Sequence, residues 1–276
     1  MKKMIKGLVF IGICLSVLGG CAQSSNETSR FDKIKETKKI TMATSPDYAP
    51  YEFIDPTKSG SEQYVGADIE LGKYIAQKLG VELELKIMDF SAVLAAISEG
   101  KADMAISGLG YKPERAEAME FSEAYNTSED GDGDGFLIRA EDVEKYKTLE
   151  DFNGVSIAAQ SASLQEGYVK DQLPNAQINT IASLSDGVLR VQSGKSDALA
   201  ISYSTGEQYV NASKDLVMSS VLFEGNDSEG TMIGIVKGET ELVEAINEII
   251  QEVKEQGLYQ QWEEAYIAYA KSLGIE

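Results

Sequence analysis

The 276-residue chain contains no histidine. That removes the side chain that most often titrates near neutral pH, along with imidazole metal sites and His-based acid–base catalysis. Cysteine is nearly as scarce, with Cys14 and Cys21 as the two examples. Both lie at the extreme N-terminus, so no disulfide framework is expected in the body of the chain and packing must hold the fold. Basic residues are also few: 25 Lys and Arg stand against 45 Asp and Glu, a formal net charge of −20. Such a charge balance argues against nucleic acid and anionic membrane surfaces as partners.

What is present divides at once into a leader and a body. Lys2, Lys3 and Lys6 precede an apolar run from Gly7 to Leu18, and "LGGC" ends at Cys21. The pattern is a secretory signal over residues 1–20, too short for a membrane span. Its ending resembles a bacterial lipobox, which would make Cys21 a lipidated first residue and the membrane a partner through that anchor. Loss of the three lysines leaves 22 basic against 45 acidic residues, a net charge of −23. The following polar stretch reads as a flexible tether, with residues 21–38 as lipidated Cys plus tether. The remainder is long and apolar enough (43% hydrophobic) for one large or two medium domains.

Strand and helix patterns alternate through that remainder. "KITMATS" reads as a strand entering the loop "PDYAPYEF". Asp68 is placed to cap a helix bearing Leu71, Tyr74, Ile75 and Leu79 on one face, stopped by Gly80. "VELELKI" alternates as a strand, Phe90–Glu99 as a helix, and "DMAISG" as a buried strand. A second series follows from "VSIAAQ" through helices near Leu164–Leu173 and Asp186–Gln192 to the strand "DALAIS". "FLIRAED" lies between the series, "LVMSS" and "TMIGIVK" after them. A helical stripe of Leu242, Ala245, Ile246, Ile249, Ile250 and Val253 closes the pattern. Repeated β-α-β units imply mostly parallel sheets covered by helices, in two lobes with chain crossings between them. Ligands of such sheets bind at the carboxyl ends of strands, here the Ser107-Gly108 loop and the Gln160–Leu164 loop.

The stretch "ISGLGYKPERAEAMEFS" places Arg115 on a short loop after a buried strand. An arginine there is either a surface charge or a fork held out for an anion. Tyr48, Tyr51 and Phe53 cluster near the end of the first strand and Phe90 near the end of the second; Phe53 reads as core.

Five landmarks now stand in order: "SPDYAPYEF", "VGADIELGKYIAQKLG", "DFSAVLAAISEGKADMAISGLGYKPERAEAMEFSEAY", "SIAAQSASLQE" and "GKSDALAIS". In this order the chain resembles the family 3 solute-binding proteins, the extracytoplasmic receptors of polar amino acid ABC transporters, from about Lys39 to Tyr266. The resemblance implies an α/β, two-lobed periplasmic-binding-protein-like fold with a ligand cleft between the lobes. Lobe one would comprise residues 39–128 plus 223–276, and lobe two residues 129–222. It implies that Arg115 grips the α-carboxylate of an amino acid, a planar fork on a planar anion. Gly110 would add a backbone N–H, Ser163 a hydroxyl and Leu164 another N–H at a helix start. Tyr48 and Phe90 would sandwich the ligand, with Ser45, Tyr51, Ser107 and Gly108 around it.

Two positions depart from the family pattern. Many relatives carry, at the position of Ser202, an Asp that pairs with the ligand ammonium. A buried ammonium needs such a partner, so Glu229, Asp227 or an acid of the Glu129–Asp134 loop must replace it, or the ligand lacks a free amine. Ser45 stands where relatives that bind basic side chains place Asp, which argues against a basic ligand.

"DGDGDGFLIRAE" fits the EF-hand spacing, with Asp130, Asp132, Asp134 and Glu141 as ligands. No helix leads into it, and "GFLIRAE" reads as a strand crossing between lobes, so an acidic hinge loop is expected rather than a calcium site. No cofactor and no catalytic residue is implied. A dehydratase on the same scaffold would need a positioned acid, and Glu52, Glu123 or Glu229 could be named without a partner to group them. A ligand-sensing receptor without transport is the remaining alternative. The reading reached is a monomeric, lipid-anchored extracytoplasmic receptor. It would pass an amino acid or close derivative to an ABC permease and its ATPase.

Overall fold

A computed structural model of the chain describes residues 28–127, 133–225 and 230–274. The leader, Cys21, Asp130, Asp132, Asp227 and Glu229 lie outside the described residues. Among the described residues no helix is long and apolar enough to cross a membrane.

The first described element is α1 (Arg30–Thr37), in a stretch expected to be tether. Its Ser29 cap accepts from Asp32 N–H, and Ile34 is buried. Arg30 ties it down, donating to Asp103 at 2.7 Å and to the carbonyls of Ala102 and Gly100. One buried isoleucine and one arginine fork, not helix propensity, order this segment.

From there the chain forms β1 (Lys39–Thr44), the small sheet β2 (Asp47–Tyr48), β3 (Glu52–Ile54) and β4 (Tyr64–Val65), and then α2 (Ala67–Leu79). Next come β5 (Glu82–Ile87), α3 (Phe90–Ser98), β6 (Met104–Ala105), α4 (Pro113–Ala118) and β7 (Met119–Asn126). It then builds β8 (Asp134–Arg139), β9 (Ser156–Gln160), α5 (Leu164–Gln172), β10 (Gln177–Ile181), α6 (Leu184–Gln192), β11 (Ala198–Ser202), α7 (Tyr203–Ala212) and β12 (Leu216–Leu222). It returns through β13 (Thr231–Val236), α8 (Thr240–Glu255) and α9 (Leu258–Leu273).

The two five-stranded sheets have the orders β5-β1-β6-β13-β7 and β10-β9-β11-β8-β12. In the first, β1 pairs in parallel with β5 and β6, while β13 runs antiparallel to both its neighbours. In the second, β9 pairs in parallel with β10 and β11, and β8 is the reversed strand. Each sheet is therefore mostly parallel, with its fourth strand reversed. That strand is the one entered after a crossing from the other lobe.

Helices bury both faces of each sheet, as parallel strands require. Ile40 and Met42 of β1 pack with Ile69, Leu71 and Ile75 of α2 and with Ile246, Ile250 and Val253 of α8. Ala43 and Ala105 point the other way, onto Phe90, Val93 and Ile97 of α3. Along β11, Ala198 and Ala200 meet Phe136 and Ile157, while Leu199 and Ile201 meet Val188 and Val191. The alternation in "VELELKI" belongs to an edge strand, whose charges keep it from pairing further.

Two local expectations are corrected, and a third feature, the spacing of Asp134 and Glu141, agrees with the strand expected there. Asp68 is not the cap of α2, which begins after Gly66; it is the second helical residue, with its carboxylate turned into the interior. Arg115 sits on the short helix α4 rather than on a loop, because Pro113 starts a helical turn. Asp134 and Glu141 stand at opposite ends of an extended strand, roughly 20 Å apart at ~3.3 Å per residue. Asp134 is buried, whereas the Glu141 side chain is 80% exposed beside Arg139.

Candidate functional site

The carboxyl ends of β1 and β6 face those of β9 and β11 across the junction of the lobes, and enclose a cavity of about 40 Å³. Of the eleven residues expected at a site, ten line it. Lobe one contributes Ser45, Tyr48, Phe90, Ser107, Gly108, Gly110 and Arg115; lobe two contributes Ser163, Leu164 and Ser202. Tyr51 does not. Its ring lies behind Tyr48 at 5.2 Å, and its hydroxyl reaches Ser204 of α7 at 3.3 Å.

Arg115 is the single cation lining this cavity among the described residues. It is 7% exposed. Nη1 donates to the Gly110 carbonyl at 2.7 Å and Nη2 to the Ala162 carbonyl of lobe two at 2.8 Å. Its carbon centre lies 5.4 Å from the Phe90 ring centroid, within cation–π range. Burial brings its pKa down to about 10, so it remains charged at neutral pH. No carboxylate among the described residues forms an ion pair with it. Two backbone carbonyls fix the plane of the guanidinium, which still has N–H groups to offer. A buried, oriented cation without a protein anion favours an anionic guest.

Two glycines let this wall assemble. Gly108 has φ +55°, and a Cβ there would stand 2.7 Å from the Tyr48 ring. A Cβ at Gly110 would stand 2.7 Å from Leu164 Cδ1 of the other lobe. Tyr48 spans the cleft, donating to Ser202 Oγ at 2.7 Å. Ser163 caps α5 by accepting from Glu166 N–H. Leu164 is the first residue of α5, where backbone N–H groups have no intrahelical acceptor.

The acids around the cavity are the part that sequence reasoning saw least clearly. Glu52 is fully buried; its Oε1 accepts from Ser107 Oγ at 2.8 Å, and Ser107 Oγ accepts from Ser45 N–H at 3.1 Å. Burial first, then the Asp68 charge, push the Glu52 carboxyl well above its ordinary range. Its Oε2 has no hydrogen-bond partner. Burial also raises the Asp68 carboxyl, while Tyr259 OH, Tyr125 OH and the Gly108 N–H all donate to it and pull it down. Through the last bond this pair fixes the Gly108 loop. Asp134, the direct register partner of Ser202 across β8 and β11, accepts from Gln165 Nε2 at 2.6 Å. Burial raises its carboxyl to about 6.

Asp47, Gln160, Gln165, Leu184 and Ile201 also line the cavity without having been singled out, and Glu52 had been named only as an acid for an alternative chemistry. Leu184 begins α6 directly after β10. Applying the strand-end rule to this third loop of lobe two would have found it. Asp47 offered no such signal, since its importance lies in what it meets across the cleft.

The profile of the bacterial extracellular solute-binding proteins, family 3, matches residues 40–269. The arginine-binding extracellular protein ArtP of Bacillus subtilis (strain 168) is 29% identical over 259 residues, 93% of this chain and 94% of that protein. An amino acid ABC transporter substrate-binding protein from Streptococcus pneumoniae Canada MDR_19A, solved bound to L-arginine, is 35% identical. Its structure superposes with a TM-score of 0.80 over 87% of this chain and 98% of its own. The ancestral amino acid-binding protein AncCDT-1, a precursor of cyclohexadienyl dehydratase, is 29% identical with a TM-score of 0.77, covering 87% and 100%.

Proposed function

Since the chain belongs to the bacterial extracellular solute-binding proteins of family 3, we propose that it captures an amino acid or close derivative outside the cytoplasm and delivers it to an ABC importer. The observation that carries this reading is Arg115, a buried guanidinium between the lobes with its plane fixed and no acid among the described residues paired to it. In this reading Arg115 takes the ligand carboxylate, with help from the start of α5, and the ring of Tyr48 flanks the ligand stem. The lobes are residues up to about 128 plus those from about 223 onward, and residues 129–222. Cys21 carries the lipid that anchors the receptor, which acts as a monomer and performs no chemistry of its own.

The ammonium side centres on Ser202. Asp134 lies directly across the strand pair and supplies the carboxylate that Ser202 does not. An ammonium nearby would draw Asp134 back to its charged form. The expectation against a basic side chain is revised. Arg115 is the one described cation lining the cavity, and relatives named for arginine hold a basic side chain in the same family. Arginine, named for the relatives above, heads the ligands to test.

Calorimetry with the twenty L-amino acids and their N-acetylated and deaminated analogues tests the proposal. A free amino acid should bind wild type and fail to bind Arg115→Ala. Binding confined to amine-blocked acids would remove the role given to Asp134. Glu52, a carboxyl in the cavity wall raised by burial, supports a second, dehydratase-like reading. Turnover of a cyclohexadienyl acid, lost in Glu52→Gln, would favour it over capture.

A further inference from the structure

Five hydrogen bonds involving side chains cross between the lobes around the cavity among the described residues. Arg115 and Tyr48 make two of them, to Ala162 and Ser202, and both residues are ones a ligand would engage. Tyr51 makes a longer contact to Ser204. The most heavily bonded crossing is Asp47 of β2. Its Oδ2 accepts from the Leu184 N–H at 2.8 Å and from Gln160 Nε2 at 3.0 Å, both on lobe two.

We infer that Asp47 is a positioning residue that favours the closed arrangement of the lobes independently of which ligand is bound. On its own lobe the residue is fixed. Its N–H donates to the Ser45 carbonyl at 2.9 Å, its Oδ1 accepts from Ser45 Oγ at 3.1 Å, and the β2–β3 register pairs it with buried Phe53. On the facing lobe, Leu184 is the first residue of the nine-residue helix α6, so its N–H has no acceptor within the helix. Ser183 caps a different donor, the N–H of Asp186. Opening the cleft hands the Leu184 N–H to water, and closing it requires an acceptor from lobe one. Asp47 is that acceptor. Gln160 is held as well, because the same amide also donates to the Ala182 carbonyl at 3.3 Å. Asp47 thus pins the ends of β9 and β10 to the first hairpin of lobe one at a point where its oxygens are committed to protein donors. It sets how readily the cleft shuts, and leaves the choice of ligand to the residues around Arg115.

Both cross-lobe donors are neutral N–H groups that need an acceptor oxygen, which an amide supplies as well as a carboxylate. Asparagine can keep one oxygen on Leu184 and Gln160 and turn its amide toward Ser45 Oγ, which can accept. Alanine removes the acceptor and strands two donors in the closed state.

The test uses ligand-free protein and does not depend on which ligand is assigned. Amide hydrogen exchange at Leu184 is measured at neutral pH, with small-angle scattering alongside. Asp47→Ala should speed exchange at Leu184 by about tenfold or more and enlarge the radius of gyration, while Asp47→Asn stays near wild type. Gln160→Ala should fall between them, and far-UV circular dichroism confirms that each variant is folded. Unchanged exchange at Leu184 in Asp47→Ala would overturn the inference. So would an Asp47→Asn protein as open as Asp47→Ala, since the carboxylate charge rather than the acceptor would then be what closes the cleft.

Discussion

The two lobes carry the same strand arrangement, yet they bring different chemistry to the cavity. Lobe one supplies every acidic and basic residue lining it among those described: Arg115, Asp47 and Glu52. Lobe two supplies amides, hydroxyls and apolar groups, and three helix starts. Leu164 opens α5, Leu184 opens α6, and Ser202 caps α7. A shared topology therefore fixes where residues meet, at the carboxyl ends of strands, and leaves open what they do there. The division suits a receptor in which Arg115 of lobe one grips the ligand, while contacts made across the cleft by both lobes set how readily it closes. Substitutions at charged partners of the ligand should alter how tightly it is held, and those at cross-cleft contacts how fast the cleft opens.

The largest effect expected is on lobe one. Arg115→Ala should cost about 2–5 kcal/mol of affinity by calorimetry, because the ligand carboxylate would be buried without its charged partner. Its melting temperature should barely change, since Arg115 bonds only two carbonyls and anchors no core. A large loss of stability with affinity intact would erase the difference drawn between the lobes.

Asp134 offers the next effect, with opposite signs for stability and binding. Burial raises its folded-state carboxyl to about 6, above the unfolded value, so the folded protein binds the extra proton between these values. Stability from this group is thus greatest below about pH 4 and falls as pH rises through 6. Asp134→Asn should gain about 2 kcal/mol in denaturant titrations at pH 7.5 and little at pH 4. The same variant should weaken an amino acid ligand at pH 7.5. In wild type, affinity should decline below about pH 6 as Asp134 protonates. A destabilised Asp134→Asn protein with a flat pH profile would contradict both statements.

Two smaller effects separate gripping from closing. Gly110→Ala puts a methyl group against Leu164 of the facing lobe, and stopped-flow release should quicken several-fold, by about 1 kcal/mol. Ser202→Asp should tighten a free amino acid and weaken an amine-blocked one, since only an ammonium offsets the added carboxylate. Smallest of all, millimolar calcium should shift the melting temperature no more than magnesium does. Asp134 and Glu141 cannot reach one ion from the two ends of β8.

Much of this architecture was legible because alternation and helical stripes are local. "VELELKI" and the stripe from Leu242 to Val253 are recognisable without knowing their neighbours, and strand ends then point to Ser107, Gly108 and Arg115. Partners distant in sequence were not legible. Asp68 looked like a helix cap, and Tyr125 and Tyr259, 57 and 191 residues away, make it a buried, hydrogen-bonded acid instead. Helix α1 looked like tether because one buried isoleucine and an arginine fork onto Asp103 do the ordering. Asp47 looked like a loop residue until lobe two placed Leu184 and Gln160 against it.

The most direct test of the central claim, that Arg115 receives a carboxylate, is a thermal-shift comparison of L-amino acids with their α-carboxamides on wild-type protein. The account predicts that at least one amino acid, with arginine tried first, raises the melting temperature and that its carboxamide does not. A carboxamide that stabilises the protein as well as its parent acid, or no response to any of the twenty acids, would contradict it.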